Sequence, residues 1–169
     1  MSGKEAIFWD SCVFISYITN EKRSDERDMA GVEELVRLID MDQYVLVTSV
    51  ITIAEVLEKS TGSKAYENFR DFFKRPNSLL VNITRPIAEI AHDIRNDFTL
   101  GKDQKLSTPD SLQIASAIHA RCSVFYTFDG CSAKKDGILQ LHDQILAKYS
   151  LEICKPEPKY PFQEKLIKE

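Results

Sequence analysis

The 169-residue chain is short of the signatures that usually assign a small protein to a chemistry. Its four cysteines, Cys12, Cys122, Cys131 and Cys154, form no CxxC pair. That spacing gives neither a zinc ribbon nor a disulfide framework. His119 and Cys122 share a helical face, but no second pair accompanies them, so reduced and mostly buried thiols are expected. His92 and His142, each followed by Asp, read as surface or helix-end residues. Gly-rich phosphate loops, GxSxG and HExxH are all missing, so NTPase, serine-hydrolase and zinc-protease chemistries have no support. No run approaches the roughly 20 apolar residues of a membrane span. The start, MSGKEAIFWD, lacks the basic end, apolar stretch and cleavage site of a signal peptide. A cytoplasmic location with no membrane partner is therefore expected. Basic excess is missing too: the net charge of −4 excludes a strongly basic nucleic-acid coat, though not a single basic groove beside acids.

What is present is an alternation of short apolar runs and helical periodicities. AIFW (6–9), YVLVTS (44–49), SLLVNI (78–83), SVFYTF (123–128) and LEIC (151–154) read as strands. Between them CVFISYI (12–18), a stretch ending near Asp42, VITIAEVLEKS (50–60), AYENFRDFFK (65–74), residues 87–100, residues 109–121 and GILQLHDQILAKY (137–149) read as helices. Ser49 is a plausible N-cap for the third of these. GKDQKLS (101–107) reads as a polar loop. The alternation predicts an α/β fold with a central parallel sheet covered by helices on both faces, and the strands are near-continuous apolar runs, as such burial requires. Residues 1–154 form the expected domain. Residues 155–169 form a tail holding three of the six prolines, expected to be extended across the domain or a partner.

Four of the 26 acidic residues stand apart from the charged surface stretches. Asp10 follows the first strand, Asp129 follows SVFYTF, Asp110 opens an apolar helix, and Glu55 lies beside the apolar stripe of TSVITIAEV. Open parallel sheets bind ligands beyond the carboxyl ends of their strands, and the following helices begin on that same edge. Four carboxylates from distant segments are therefore expected to converge. Each has a plainer reading. Asp10 and Asp110 suit helix starts, the latter with Thr108 as N-cap and Pro109 at the first helical position. Asp129-Gly130 suits a turn. Glu55 resists dismissal, because an unpaired carboxylate against a core is costly; Glu58 is its alternative. Converging carboxylates stay ionised only with a cation between them, and an all-oxygen set suits Mg²⁺ or Mn²⁺. Phosphodiester hydrolysis is the chemistry such a site serves.

The ordered set FWDSCVFI, TSVITIAEV, PDSLQIASAIHA and SVFYTFD resembles the PIN-domain ribonucleases, and within them the VapC toxins of toxin–antitoxin pairs, over about residues 6 to 154. The resemblance implies a three-layer α/β/α sandwich and a Mg²⁺- or Mn²⁺-dependent endoribonuclease leaving 5′-phosphate and 3′-hydroxyl ends. It implies Asp10, Glu55, Asp110 and Asp129 as the acidic metal set. Ser11 and Thr127 match the hydroxyl positions beside the first and last acids, where local capping is the alternative role. It also implies an RNA substrate, a cognate antitoxin and a homodimer.

Some features depart from the toxin pattern. Ser132 stands where an aromatic is common, NEKRSDERDMAG is insert-like, and the tail is long; a free-standing PIN nuclease is the corresponding alternative. Lys102 and Lys105 before Asp110, and Lys134 and Lys135 after Asp129, are candidate RNA-phosphate contacts, with solvated loop charge as the alternative. A non-catalytic PIN-like module binding RNA or protein is the competing function. A phospho-acceptor receiver domain shares the pattern but needs paired acids after the first strand, and Asp10 is followed by Ser11.

Overall fold

A computed structural model describes residues 3–101, 104–131 and 136–158. Strand β1 (Glu5–Trp9) leads into α1 (Ser11–Ile18) and α2 (Glu26–Asp40). Then come β2 (Tyr44–Ser49), three helices α3 (Ile51–Glu55), α4 (Glu58–Thr61) and α5 (Ser63–Phe72), and β3 (Ser78–Val81). Helix α6 (Arg85–Asp97) and the short strands β4 (Thr99–Leu100) and β5 (Gln104–Lys105) precede α7 (Thr108–His119) and β6 (Val124–Tyr126). A 3-10 turn (Ile138–Leu141), α8 (His142–Tyr149) and β7 (Glu152–Cys154) complete the order.

Five strands form one parallel sheet in the order β3-β2-β1-β6-β7. The sheet separates two apolar layers because side chains alternate across each strand. Phe8, Val47, Phe125 and Ile153 face α6, α7 and α8. Ile7, Trp9, Leu46, Val124 and Tyr126 face α1, α2 and α5. Phe8 and Phe125 stack across neighbouring strands with ring centroids 5.0 Å apart. Fully burying one such side chain stabilises the fold by roughly 1.5–3 kcal/mol, so the period-two pattern fixes which face of each strand meets which helices. The result is the expected three-layer α/β/α sandwich.

Four local expectations need correction. The helix expected over residues 50–60 breaks after Glu55, where Val56 turns extended (φ −83°, ψ 95°) and buries its side chain in the core. The N-cap position of α3 is Val50, not Ser49. That of α7 is Ser107, not Thr108, and its hydroxyl accepts from the Asp110 amide. The loop after α6 is not wholly irregular, since β4 and β5 pair antiparallel.

The described start of the tail lies against α2. Pro156 is buried, and a Cβ added at Gly31 would stand 2.5 Å from the Pro156 carbonyl. Lys155 Nζ donates to Asp28 Oδ1 at 2.8 Å.

Candidate functional site

The chain builds the sheet outward from β1 in both directions, so the topological switch lies between β1 and β6. Ligands in open α/β folds sit beyond the strand ends at that point. Asp10 is the first residue past β1 and Thr127 the first past β6. The ladder delivers them side by side: Trp9 pairs with Tyr126, and the Asp10 amide donates to the Tyr126 carbonyl at 3.1 Å.

Asp10 is buried, with 5% of its surface exposed, and caps α1. Its Oδ1 accepts from the Ser11 amide at 2.7 Å and from Ser11 Oγ at 3.3 Å. Its Oδ2 accepts from Thr127 Oγ1 at 2.7 Å and from the Cys12 thiol at 3.2 Å. These donors are all neutral. Burial raises the Asp10 pKa to about 6, with the negative charge of Glu55 adding to the rise and the hydrogen bonds opposing it. The same burial and the Asp10 charge push the Cys12 thiol well above its ordinary value, so it serves as a donor rather than a nucleophile.

Thr127 extends the network toward Asp129. Its Oγ1 accepts from the Asp129 amide at 3.0 Å while donating to Asp10. Asp129 lies three residues beyond the end of β6, not directly after the strand. Its Oδ2 accepts from the Ile138 amide at 3.0 Å, and its carbonyl accepts from the Leu139 amide at 3.1 Å. The carboxylate therefore caps the 3-10 turn, and Gly137 leaves room for it: a Cβ there would stand 2.6 Å from Asp129 Oδ2.

Glu55 ends α3 and is half-buried; the Glu58 side chain lies outside the described residues. Gln113 Nε2 donates to Glu55 Oε2 at 2.8 Å, which ties α3 to α7. Asp110, one turn before Gln113, accepts from Ser107 Oγ and occupies the first turn of α7. Thus Asp10, Thr127 and Asp129 form one hydrogen-bonded string, Glu55 acts on Asp10 electrostatically, and the direct partner of Asp110 is Ser107.

Among the described residues no three His, Cys, Asp or Glu side chains close into a single ion-binding cage. None of the four acids has an ion pair with a described cation either. This all-oxygen set suits a hard divalent ion, and Mg²⁺ commonly binds through only one or two carboxylates, completing its shell with water and phosphate. Lys105 Nζ donates to the Arg95 carbonyl at 2.9 Å, and Lys102, Ser132, Lys134 and Lys135 lie outside the described residues.

Sequence reasoning passed over Cys12, Thr48, Thr52, Gln113 and Arg23. Thr48, Thr52 and Gln113 are fully buried polar residues inside apolar elements, and that mismatch was the available signal. Arg23, in the stretch read as an insert, stacks 3.8 Å from the Phe128 ring centre and pairs with buried Asp28. The insert-like segment is thus bound to the strand exit that carries Asp129.

The family model of the PIN domain matches residues 7–137. The chain belongs to the PIN-domain family. Similar folds occur in the VapBC2 structure from Rickettsia felis, bound to a DNA fragment from its promoter. That chain is 12% identical with a TM-score of 0.57, over 88% of this chain and 97% of that one. VapC20 of Mycobacterium tuberculosis, described as a sarcin-ricin loop cleaving toxin, is 18% identical with a TM-score of 0.54, over 73% of this PIN domain's chain and 90% of its own. FitAB bound to an IR36 DNA fragment is 18% identical with a TM-score of 0.51, over 91% and 99% respectively. At these identities the likeness is one of fold. No curated protein matches the chain in sequence. No helix among the described residues is long and apolar enough to cross a membrane.

Proposed function

We propose that this PIN domain is a Mg²⁺- or Mn²⁺-dependent endoribonuclease acting in the cytoplasm as the toxin of a toxin–antitoxin pair. One observation carries the reading: the carboxylate of Asp10 is buried at the switch point under the influence of Glu55, has its pKa raised to about 6, and is met, among the described residues, only by neutral donors. A negative site without a cation is what a divalent ion would complete.

Asp10, Glu55, Asp110 and Asp129 are the residues that would hold such an ion. The ion would supply Lewis acidity toward phosphoryl oxygens and a more acidic water. Thr127 fixes the orientation of Asp10 and the backbone of Asp129, and Ser11 offers a hydroxyl at the same edge. Lys102, Lys105, Lys134 and Lys135 are the proposed contacts to RNA phosphates. The fold likeness to toxins in VapBC complexes supports an antitoxin partner, and a homodimer is part of the same proposal.

The test is cleavage of structured and single-stranded RNA by purified protein. Chelator should abolish it and Mg²⁺ or Mn²⁺ restore it. Asp110→Asn should lose activity while melting near the wild type; wild-type rates in that variant would end the proposal. Expression should arrest growth, relieved by the protein of an adjacent small reading frame.

A second reading, a non-catalytic module binding RNA or protein, is favoured by one observation. Asp10 and Asp129 already cap a helix and a turn start, and Asp110 lies in the first turn of α7 with its carboxylate held by Ser107. Metal-independent RNA binding without cleavage would select it.

A further inference from the structure

Glu55 sits at the end of a helix that cannot fix it. Helix α3 has five residues, its N-cap position makes no side-chain cap bond, and the chain turns extended at Val56. Helices so short gain little from their own hydrogen bonds, and a glutamate carries several rotatable bonds. Something else holds the carboxylate.

That support is a chain of buried hydrogen bonds centred on Gln113. Pairing of β1 with β2 ends at Phe8 and Val47, and the carbonyl of Trp9, one residue on, accepts from Thr48 Oγ1 at 2.9 Å. Thr48 and Thr52 hydroxyls lie 2.8 Å apart. Because the Thr48 proton is committed to Trp9, Thr52 is the donor of that pair, at 2.8 Å in preference to the 3.4 Å contact from Thr52 Oγ1 to Gln113 Oε1. Gln113 Nε2 then donates one hydrogen to Thr52 Oγ1 at 3.0 Å and the other to Glu55 Oε2 at 2.8 Å. Thr48, Thr52 and Gln113 are each no more than 1% exposed. Three links thus run from Gln113 toward Trp9 and the fourth from Gln113 to Glu55, and linked hydrogen bonds of this kind polarise one another cooperatively. The chain begins at the residue before Asp10 and ends on Glu55, and Gln113 stands one turn past Asp110 on α7.

We propose that Gln113 is the positioning residue for Glu55, its carboxamide held by the Thr48–Thr52 hydroxyl pair so that the Glu55 carboxylate keeps a fixed place relative to Asp10 and to the helix of Asp110. Its kinetic consequence rests on the nuclease reading; its geometric consequence does not. Gln113 touches neither ion nor RNA. It acts through Glu55, as outer-shell partners of metal-binding carboxylates do, where loss commonly weakens metal affinity about 10- to 100-fold.

The experiment uses Gln113→Met, which keeps volume and removes the donor, and Thr52→Val, which cuts the chain one link back. Side-chain order at Glu55 is read by crystallography or carboxyl-carbon NMR, and Mn²⁺ affinity by calorimetry. In the wild type Glu55 should hold one rotamer. In Gln113→Met it should populate several, with Mn²⁺ binding weakened roughly 10- to 100-fold and kcat reduced more than KM. Thr52→Val should do the same more weakly, and it carries the test if Gln113→Met fails to fold. In a Glu55→Gln background Gln113→Met should add no further loss of Mn²⁺ affinity. A Glu55 rotamer unchanged in both variants would overturn the proposal, as would an equal loss of Mn²⁺ affinity with and without Glu55. Should the wild type neither bind Mn²⁺ nor cut RNA, the nuclease reading fails, while the rotamer comparison still decides the role of Gln113.

Discussion

Thr127 Oγ1 lies 2.7 Å from Asp10 Oδ2, joining residues 117 positions apart at the ends of adjacent strands. The hydroxyl is fully buried and also accepts from the Asp129 amide. A valine of the same shape would leave that amide and the Asp10 oxygen each short of a partner. Thr127→Val should therefore cost ~1–3 kcal/mol of stability and reduce RNA cleavage more than tenfold, with Thr127→Ser restoring most of both. Denaturant unfolding alongside a cleavage assay checks this; an unaffected valine variant would show that the bond is incidental.

The pH dependence of stability follows from Asp10. Its folded pKa, about 6, stands above the ordinary value of 3.8, so the folded state holds the proton more tightly than the unfolded chain does. The sign is thus opposite to that of a salt-bridged aspartate: the metal-free protein gains from Asp10 at low pH and loses that gain between roughly pH 4 and pH 6. The total is about 3 kcal/mol. Asp10→Asn should remove this slope and unfold at higher denaturant than the wild type above pH 6. Added Mg²⁺ or Mn²⁺ should raise the wild-type melting temperature at pH 7.5 and leave Asp10→Asn unmoved. A wild-type slope of the reverse sign in that window would contradict the burial argument.

The strands and their layers were legible because burial on both sheet faces forces continuous apolar runs, and β1, β2 and β6 carry them; the strand order was not, since apolar runs do not say which strands are neighbours. The helix over residues 50–60 was misread because its apolar spacing continues through Val56 and Leu57. What ends it is tertiary: Val56 enters the core while Leu57 stays 54% exposed, and no Gly or Pro marks the break. The positions of Asp10 and Asp110 at helix starts were equally visible. Gln113 and the two threonines showed only as polar residues inside apolar elements, and their linkage was not legible, because a hydrogen-bond chain between β2, α3 and α7 has no sequence period. Arg23 was hidden by its neighbours, since a charge run reads as a solvated surface.

Arg23 should behave as a structural cation. Its guanidinium stacks on Phe128 and its Nε lies 3.3 Å from Asp28 Oδ2, while Lys155 holds the other oxygen of that buried acid. Arg23→Ala removes a stacked face and one of two charges on Asp28, and should destabilise by ~1–3 kcal/mol. Arg23→Lys should recover little, because an ammonium cannot stack and pair in one plane. In an Asp28→Asn background the cost of Arg23→Ala should shrink, and a double-mutant cycle by chemical denaturation measures the difference. Full additivity would mean the two residues do not act together.

Gly137 offers a way to move Asp129 without touching it. Its backbone is extended (φ −154°), so the constraint is space rather than conformation. A Cβ there would stand 2.5 Å from the Gly130 amide nitrogen and 2.6 Å from Asp129 Oδ2. The first of these neighbours is backbone, so no side-chain rotation relieves the contact, and the segment carrying Asp129 must shift. Overpacking of this kind costs roughly 1–3 kcal/mol. Gly137→Ala should lower melting modestly while Mn²⁺ affinity and RNA cleavage fall much further, because the shift falls on a proposed ligand. Gly3→Ala, where nothing lies within 4 Å, is the control and should change neither. If Gly137→Ala lost stability but kept wild-type cleavage, the Asp129 carboxylate would be a turn cap alone.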